Sequence, residues 1–560
     1  MRSQTNEQAL ESSIEKSLTG TSLEEMAERG SAESLPQYGV NDKFYVGQNS
    51  DFNKAYAIDT KRFWHFLETT QAKELDKLKK DPQYKLKIIQ RLDRMIKKYG
   101  VLKILRKGLA VDDAHFTMMY VAPLASSSKV IKKRFDSNEF SVTRQVTYSM
   151  ANPLQEIDMV IFINGLPIVT MELKNAWTEQ NARVHGQKQY KRDRDPSQPL
   201  LNFARCIVHM AVDTDEIYMT TKLAGTKTFF LPFNRGNNHG KGNPPNPNGH
   251  KIAYLWEEVL TKKSIAGLIQ HFVRLDGKEK DTLSKRTLFF PRYHQLDVVR
   301  KIIADASTKG VGQTYLIQHS AGSGKSNSLT WAAYQLIETY PERDDLPGSK
   351  GVDNPLFDSV IVVTDRRLLD KQLRDNIKEF SEVKNIVAPA YSSRELRASL
   401  ESGKKIIITT IQKFPFIVDG IADLSDKRFA VVIDEAHSSQ SGSAHDNMNR
   451  VMGQADEEEK DALDLIIKSF NEKWFQGWDA IPEEQRIRFI NIAQKVKEHP
   501  DYQSKYLDNQ DTQNRELAYV KIFNEVMNQQ RRSELELYRL ISQDDVFRQA
   551  MQDTVKRILH

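Results

Sequence analysis

What this sequence has little of sets the first bounds. It carries one cysteine, Cys206, in 560 residues. An intramolecular disulfide is therefore excluded, and a reducing, cytoplasmic compartment is the expectation. No run approaches the roughly 18 apolar residues that a membrane-spanning helix needs, so no membrane association is expected. The opening residues, MRSQTNEQALESS, lack the apolar stretch of a signal peptide. No internal repeat is visible. Neither sign of charge dominates: 81 Lys and Arg face 75 Asp and Glu, a net charge of +6. That balance permits an anionic partner without requiring one.

What is present is enough to build cores. Hydrophobic residues make up 39% and charged residues 28%, which excludes a wholly disordered chain. At about 150 residues per domain, the length accommodates about three to four domains. Residues 8–30 predict a polar amphipathic helix, and the stretch through Asp59 predicts loops or short strands. From Arg62 to Lys107 the pattern is helical and lysine-dense, as in KLKIIQRLDRMIKKYGVLKIL. That charge run reads as a solvated helix face, with a DNA-tracking face as the alternative.

From Phe116 the period moves toward two. FTMMYVAP, FSVTRQVTY, IDMVIFI, LPIVTMEL, CIVHMAV and IYMTT predict strands, with one helix around 178–192. The Gly/Pro/Asn segment Asn234–His250 predicts a loop, either an exposed excursion or an early linker. Residues 251–275 return to helix. From Leu288 to His437, apolar runs (TYLIQHS, SVIVVTD, KIIITT, FAVVIDEA) alternate with helical stretches, the pattern of a parallel sheet wrapped by helices. Strands vanish after residue 455, and 457–560 predict charged amphipathic helices.

HSAGSGKS, residues 319–326, stands between an apolar run and a helix, the context of a phosphate-binding loop. Gly322 and Gly324 let successive backbone N–H groups point at phosphate oxygens. Lys325 supplies a cation for the β and γ phosphates, and Ser326 a hydroxyl ligand for Mg²⁺. Ser320, Gly322, Ser323, Gly324, Lys325 and Ser326 are thus nucleotide-binding candidates for ATP. The usual pattern begins with Gly where His319 stands, and a Gly/Ser-rich turn is the plain alternative. FAVVIDEAH, residues 429–437, ends an apolar run with two carboxylates. Asp434 would hold Mg²⁺ and Glu435 would polarise the attacking water, at the strand end where open α/β sheets place ligands.

A second constellation lies upstream. Asp158 sits in IDMVIFING, Asn164–Gly165 predicts a tight turn, and LPIVTMELK returns with Glu172 and Lys174. Residues two apart on a strand share a face, roughly 7 Å apart. Pairing of the hairpin brings Asp158 toward Glu172, and two carboxylates form a hard-oxygen site for Mg²⁺. Lys174 can orient or activate the metal's water. The structural alternative is a hairpin with an exposed ion pair. Charges ending an apolar strand are costly to bury unless paired or metal-bound.

HSAGSGKS, DEAH and FPRYHQ at 290–295 resemble the first RecA-like lobe of superfamily 2 helicases. The resemblance implies that Gln295 contacts adenine and that Tyr293 stacks on the base. VVTDRR at 362–367 and TTIQKF at 409–414 resemble motifs that touch the DNA backbone; for Arg366 a solvated strand-end charge is the alternative. The Asp158, Glu172 and Lys174 arrangement resembles PD-(D/E)xK nucleases. Together, upstream nuclease and downstream motor resemble the R subunit of type I restriction enzymes.

That resemblance implies a Gln and a Tyr four apart on the following helix. Here Gln187 and Tyr190 are three apart, and Gly186 takes the four-back position. It also implies an acid on an N-terminal helix, with Glu15 as candidate beside the reading of a plain solvated Glu. The implied fold is α/β: a PD-(D/E)xK nuclease domain (1–275), a first RecA-like lobe (276–455) and a helical C-terminal region (456–560). No second motor lobe is readable after His437, as if by internal deletion. The implied function is an ATP-binding, Mg²⁺-dependent endonuclease subunit. Its implied partners are double-stranded DNA and the methyltransferase and specificity subunits. A nucleic-acid-remodelling ATPase with a purely structural hairpin, and a non-catalytic assembly subunit, are the alternatives.

Overall fold

The computed structural model describes residues 2–28, 43–124, 127–175, 180–238, 240–278, 280–319, 323–364, 387–390, 392–410, 427–434, 483–509, 511–530 and 545–559. These residues form two compact units, one up to Phe357 and one from Asp358 onward.

The first unit is built on a seven-stranded sheet. Its strands are β1 (Tyr45–Val46), β2 (Phe140–Thr147), β3 (Glu156–Ile163), β4 (Leu166–Leu173), β5 (Val208–Val212), β6 (Ile217–Thr220) and β7 (Leu231–Pro232). They lie side by side in chain order. β1 runs parallel to β2 and β4 to β5, while the other neighbours are antiparallel. The expected hairpin is present. Asn164 (φ 50°) and Gly165 (φ 79°) adopt the left-handed turn that matches strand twist. A Cβ at Gly165 would stand 2.4 Å from the Asp59 carbonyl, so only glycine fits. Asn164 is buried and fully used: its Oδ1 accepts from the Glu139 N–H, and its Nδ2 donates to Met118 O and Asn138 Oδ1.

All of β4 is buried, which explains why it reads as an apolar run rather than an alternation. The parallel step from β4 to β5 needs a crossover. It contains a helical stretch with two π-type turns, Ala182–Gly186 and Gln189–Asp193. Tyr190, Leu200, Leu201 and Cys206 from this crossover pack with Val160, Phe162 and Ala211 of the sheet.

Two expected strands differ. FTMMYVAP contributes only Phe116, at the end of the short strand Ala114–Phe116. Beyond it, the Asn138 amide takes both backbone groups of Tyr120, bonds that a neighbouring strand would otherwise make. TYLIQ forms no strand either. Tyr315, Leu316 and Ile317 are exposed, Leu316 by 83%, so the apolar run found no described strand to pair with. The Asn234–His250 segment is an excursion within the first unit rather than a linker. Buried Asn243 pins it by donating to Asp215 O and Asn234 Oδ1 and accepting from the Arg235 N–H.

The N-terminal helix spans Arg2–Thr19 and a second begins at Leu23, so the helix expected over 8–30 is broken at Gly20. The lysine-dense region forms helices Thr60–Thr70, Ala72–Leu78, Tyr84–Tyr99 and Val101–Lys107. Ile88, Ile89, Leu92 and Ile96 bury one stripe of the third.

The second unit contains a four-stranded parallel sheet of β8 (Ser359–Thr364), β9 (Val387–Pro389), β10 (Ile406–Thr410) and β11 (Phe429–Ile433), in the order β9-β10-β8-β11. Three helices, Glu483–Lys497, Thr512–Gln529 and Asp545–Leu559, share a core with Tyr502 and Tyr506. Among the described residues, no strand follows β11, and no helix is long and apolar enough to cross a membrane.

Candidate active site

The β3–β4 register pairs Met159 with Met171 and Val160 with Thr170. One step further, it sets Asp158 opposite Glu172. Asp158 Oδ2 accepts the Leu173 N–H at 2.7 Å. Lys174 Nζ lies 3.7 Å from the same oxygen and donates to Leu173 O at 2.7 Å. Glu172 has no exposed surface, and both its oxygens are held by Arg194, at 2.6 and 3.1 Å. The hairpin thus gathers the three expected residues with their charges paired, Glu172 and Lys174 buried and Asp158 partly buried.

Two layers reinforce this cluster. On β2, Gln145 lies opposite Asp158 by register and holds a left-handed backbone (φ 49°), uncommon for a residue other than glycine. Its amide donates to Glu11 Oε1 at 2.6 Å. Arg144 donates to Glu11, Glu15 and Glu24. The N-terminal acid that faces Asp158 is therefore Glu11. Burial first, and the Asp158 charge second, push its carboxyl up to about 7. Glu15 is not a solvated glutamate; it is fully buried, accepting from Leu23 N–H and Arg144.

On the other side stands the crossover helix. Tyr190 is buried, with its hydroxyl bonded to Thr170 Oγ1 at 2.8 Å; Thr170 also meets His209 Nδ1 at 2.7 Å. Gln187 is half-buried, and its Oε1 accepts from Lys191. A Cβ on Gly186 would lie 3.0 Å from Ala211 Cβ and 3.7 Å from Lys174 Cγ, so a side chain four residues before Tyr190 would crowd Ala211 and touch Lys174 at ordinary contact distance. Burial, and then Asp158, push Glu172 up to about 8, with Arg194 and Lys174 pulling the other way.

Among the described residues, no three His, Cys, Asp or Glu side chains are arranged to hold a metal ion. The chemistry of the donor set nonetheless fits a divalent cation. Glu11, Glu15, Glu24, Asp158 and Glu172 are joined to Arg144, Lys174 and Arg194. Five carboxyls against three cations leave an excess of two negative charges when all are ionised. Mg²⁺ commonly binds through one or two carboxylates with water completing its shell.

The nucleotide candidates divide differently. Gln295 is buried, and its Nε2 donates to Ser323 O and Gly324 O at 3.2 and 3.1 Å, buttressing the backbone of the candidate loop. Tyr293 packs edge-on against Tyr254 and Phe233, and its hydroxyl accepts from Arg235. Gly324 is left-handed (φ 84°) and caps the helix Lys325–Leu336, which opens with Lys325 and Ser326. Ser320, Gly322, Glu435 and Arg366 lie outside the described residues. Asp434 is buried at the end of β11, and its N–H bonds Val363 O. Lys325 belongs to the first unit and Asp434 to the second.

Sequence reasoning missed Arg194, Arg144 and Glu11. Arg194 sits in an unremarkable charged stretch, YKRDRD, and Arg144 meets Glu11 across 133 residues of chain. A lone arginine on an otherwise buried strand was the one available signal for Arg144.

Residues 46–228 match the family "Type I restriction enzyme R protein N terminus", and residues 294–457 match "SWI2/SNF2 ATPase". The chain is 26% identical over 390 residues to the type I restriction enzyme SsaAORF53P endonuclease subunit of Staphylococcus saprophyticus, covering 68% of this chain and 37% of that protein. It is 25% identical to the HindI endonuclease subunit of Haemophilus influenzae, covering 62% and 32%. A putative type I endonuclease subunit of Methanocaldococcus jannaschii, MjaVIIIP, is 21% identical, covering 58% and 31%. The chain spans about a third of the length of these relatives.

Proposed function

Since this chain is R-subunit-like, with a restriction-type N-terminal segment followed by an ATPase segment, we propose that it cuts double-stranded DNA with a Mg²⁺-dependent PD-(D/E)xK centre. The proposed domains are a nuclease at 1–275, an ATP-binding RecA-like lobe at 276–455 and a helical region at 456–560. The observation that carries the reading is the buried cluster at the open end of β3 and β4, where Asp158, Glu172 and Lys174 converge.

In this reading Asp158 and Glu172 hold the cation. When bound, Mg²⁺ supplies Lewis acidity for the scissile phosphate and lowers the pKa of a water. Lys174, already held between Asp158 and Leu173 O, keeps its ammonium at the mouth of the carboxylate pair, placed to orient the attacking water. Tyr190, fixed by Thr170, and the neighbouring Gln187 position the crossover helix over the pair. On the first unit Lys325 neutralises the phosphates of ATP, Ser326 is a ligand for its Mg²⁺ and Gln295 reads adenine beside Tyr293; on the second, Asp434 and Glu435 are the candidate metal and water residues of the ATPase segment. Methyltransferase and specificity subunits supply the recognition sequence.

One observation favours a second reading. Both Glu172 oxygens are already satisfied by Arg194, as in a purely structural ion pair. A nucleic-acid-remodelling ATPase would then retain the hairpin without cutting. Plasmid cleavage with the partner subunits, with and without ATP, separates the two. Mg²⁺-dependent cutting that disappears in Lys174→Ala supports the nuclease; cutting that persists in that variant rejects this centre.

A further inference from the structure

We infer that Arg194 is a resident counter-cation of the nuclease centre, a positioning residue that occupies Glu172 until a divalent ion takes its place. The inference rests on the proposed metal centre and goes beyond it by assigning a role to a residue outside the expected motif.

Three observations carry it. The guanidinium grips both Glu172 oxygens in a forked pair, so a divalent ion reaching that carboxylate has to compete with it. The pair is nearly sealed, with the Glu172 side chain unexposed and that of Arg194 8% exposed, so the attraction acts with little screening by water. Finally, the cluster already holds more carboxyls than cations. Adding a divalent ion while Arg194 keeps its grip would leave Glu172 shared between two cations in a buried space.

The surroundings offer Arg194 a second partner. It is the first residue past the second π-type turn, where the backbone becomes extended (φ −102°, ψ 123°) and its N–H closes onto Gln189 O. Its guanidinium lies 5.7 Å from the Tyr148 ring centroid. The guanidinium already lies over the buried Tyr148 ring, which keeps part of its attraction for the charge when the grip on Glu172 loosens. A cation released from Glu172 beside a metal centre is placed to meet the anionic backbone of DNA. Glu172 thus keeps a cationic partner in both states: arginine when the metal is absent, metal when DNA is cut.

The test is titration of the full chain with Mn²⁺ alone, read by calorimetry and by the rise in melting temperature, without DNA. Wild type, Glu172→Gln, Arg194→Met and Arg194→Lys are compared. Arg194→Met should bind Mn²⁺ at least tenfold more tightly than wild type and show the larger melting shift. Arg194→Lys, which keeps the charge but loses the fork, should fall between them, and it carries the test if Arg194→Met does not fold. A residue that merely props Glu172 would weaken binding on removal. Equal or weaker binding in the Arg194 variants, with wild-type binding still lost in Glu172→Gln, overturns the inference and leaves the metal centre standing. Mn²⁺ binding indifferent to Glu172 in every variant overturns the centre itself, and the inference with it.

Discussion

Two polar regions of the first unit are solved in opposite ways. In the carboxylate cluster, Asp158, Glu172 and Lys174 each have a partner inside the protein. Around the candidate phosphate loop, His319 Nδ1, Ser323 Oγ and Ser328 Oγ are buried without one among the described residues. An unsatisfied buried polar atom costs about 1–3 kcal/mol, whereas a charge-assisted pair offsets much of its desolvation. The first region is closed by its own arginines and lysine except at Glu15 Oε1; the second keeps more of its hydrogen-bonding capacity unused among the described residues. A site of the first kind must be opened before it works, and a site of the second kind gains stability when filled.

The comparison breaks most sharply at the cluster. Alanine at Asp158, Glu172 or Lys174 should lower DNA cleavage by roughly 10³-fold or more, since each acts on the metal or its water. Nucleotide affinity should stay at the wild-type value. A cleavage assay in parallel with a nucleotide titration measures both, and a Glu172→Ala protein that cuts at the wild-type rate removes the cluster from the chemistry.

The phosphate loop should respond less steeply. Lys325→Ala removes one charged contact worth about 1.5–3 kcal/mol, so ATP affinity should fall roughly 10–100-fold. ATP should also raise the melting temperature of wild type more than that of the variant. Unchanged affinity would make residues 319–326 a turn whose unpaired atoms have another cause.

How far these regions could be read from sequence follows the same division. The hairpin was legible because local chemistry specifies it: two apolar runs, an Asn-Gly turn that tolerates left-handed backbone, and carboxylates at facing ends. Its closing residues were not. Arg194 and Arg144 act through pairings set by the crossover and by the docking of the N-terminal helix, and no local pattern encodes those distances. TYLIQ shows the opposite failure. Its composition favours a strand, but a strand exists only where a neighbour accepts its backbone bonds, and Leu316 stands exposed instead. Tyr293 and Gln295 were legible as a motif. Their present contacts, with Arg235 and with the loop backbone, depend on packing that the motif does not contain.

A proton can sharpen the contrast beneath the cluster. His209 is wholly buried, and desolvation pushes it down to about 3. The folded form stays neutral while the unfolded chain takes a proton below about 6.5. The His209 contribution is therefore complete above that pH and is lost as pH falls from 6.5 toward 3, by about 1.4 kcal/mol per unit. Glu172, pushed the other way, contributes below the ordinary carboxylate range and loses that contribution as pH rises toward 8. Denaturant melts of wild type, His209→Gln and Glu172→Gln across pH 4–8 should show the acid-side slope shrinking in the first variant and the alkaline-side slope in the second. Parallel curves for all three would mean that water reaches both groups.

The smallest effect belongs to the lysine-dense helices, where a solvated face and a DNA-tracking face were both open readings. On the described residues Lys85 pairs with Glu68, Lys87 with Asp112 and Lys97 with Asp93, and the lysine of each pair is well exposed. Exposed pairs of this kind are worth about 0.2–1 kcal/mol and are screened by salt. Helix Tyr84–Tyr99 is instead held by Ile88, Ile89, Leu92 and Ile96. Lys85→Ala and Lys87→Ala should therefore change stability by under about 1 kcal/mol each. If the face is merely solvated, the salt dependence of DNA binding should also be unchanged. Each lysine that contacts a phosphate would instead lower that slope by about 0.9. A slope that falls by nearly two in the double variant would return this face to the DNA path and add to the carboxylate cluster an anion-binding surface on the same unit.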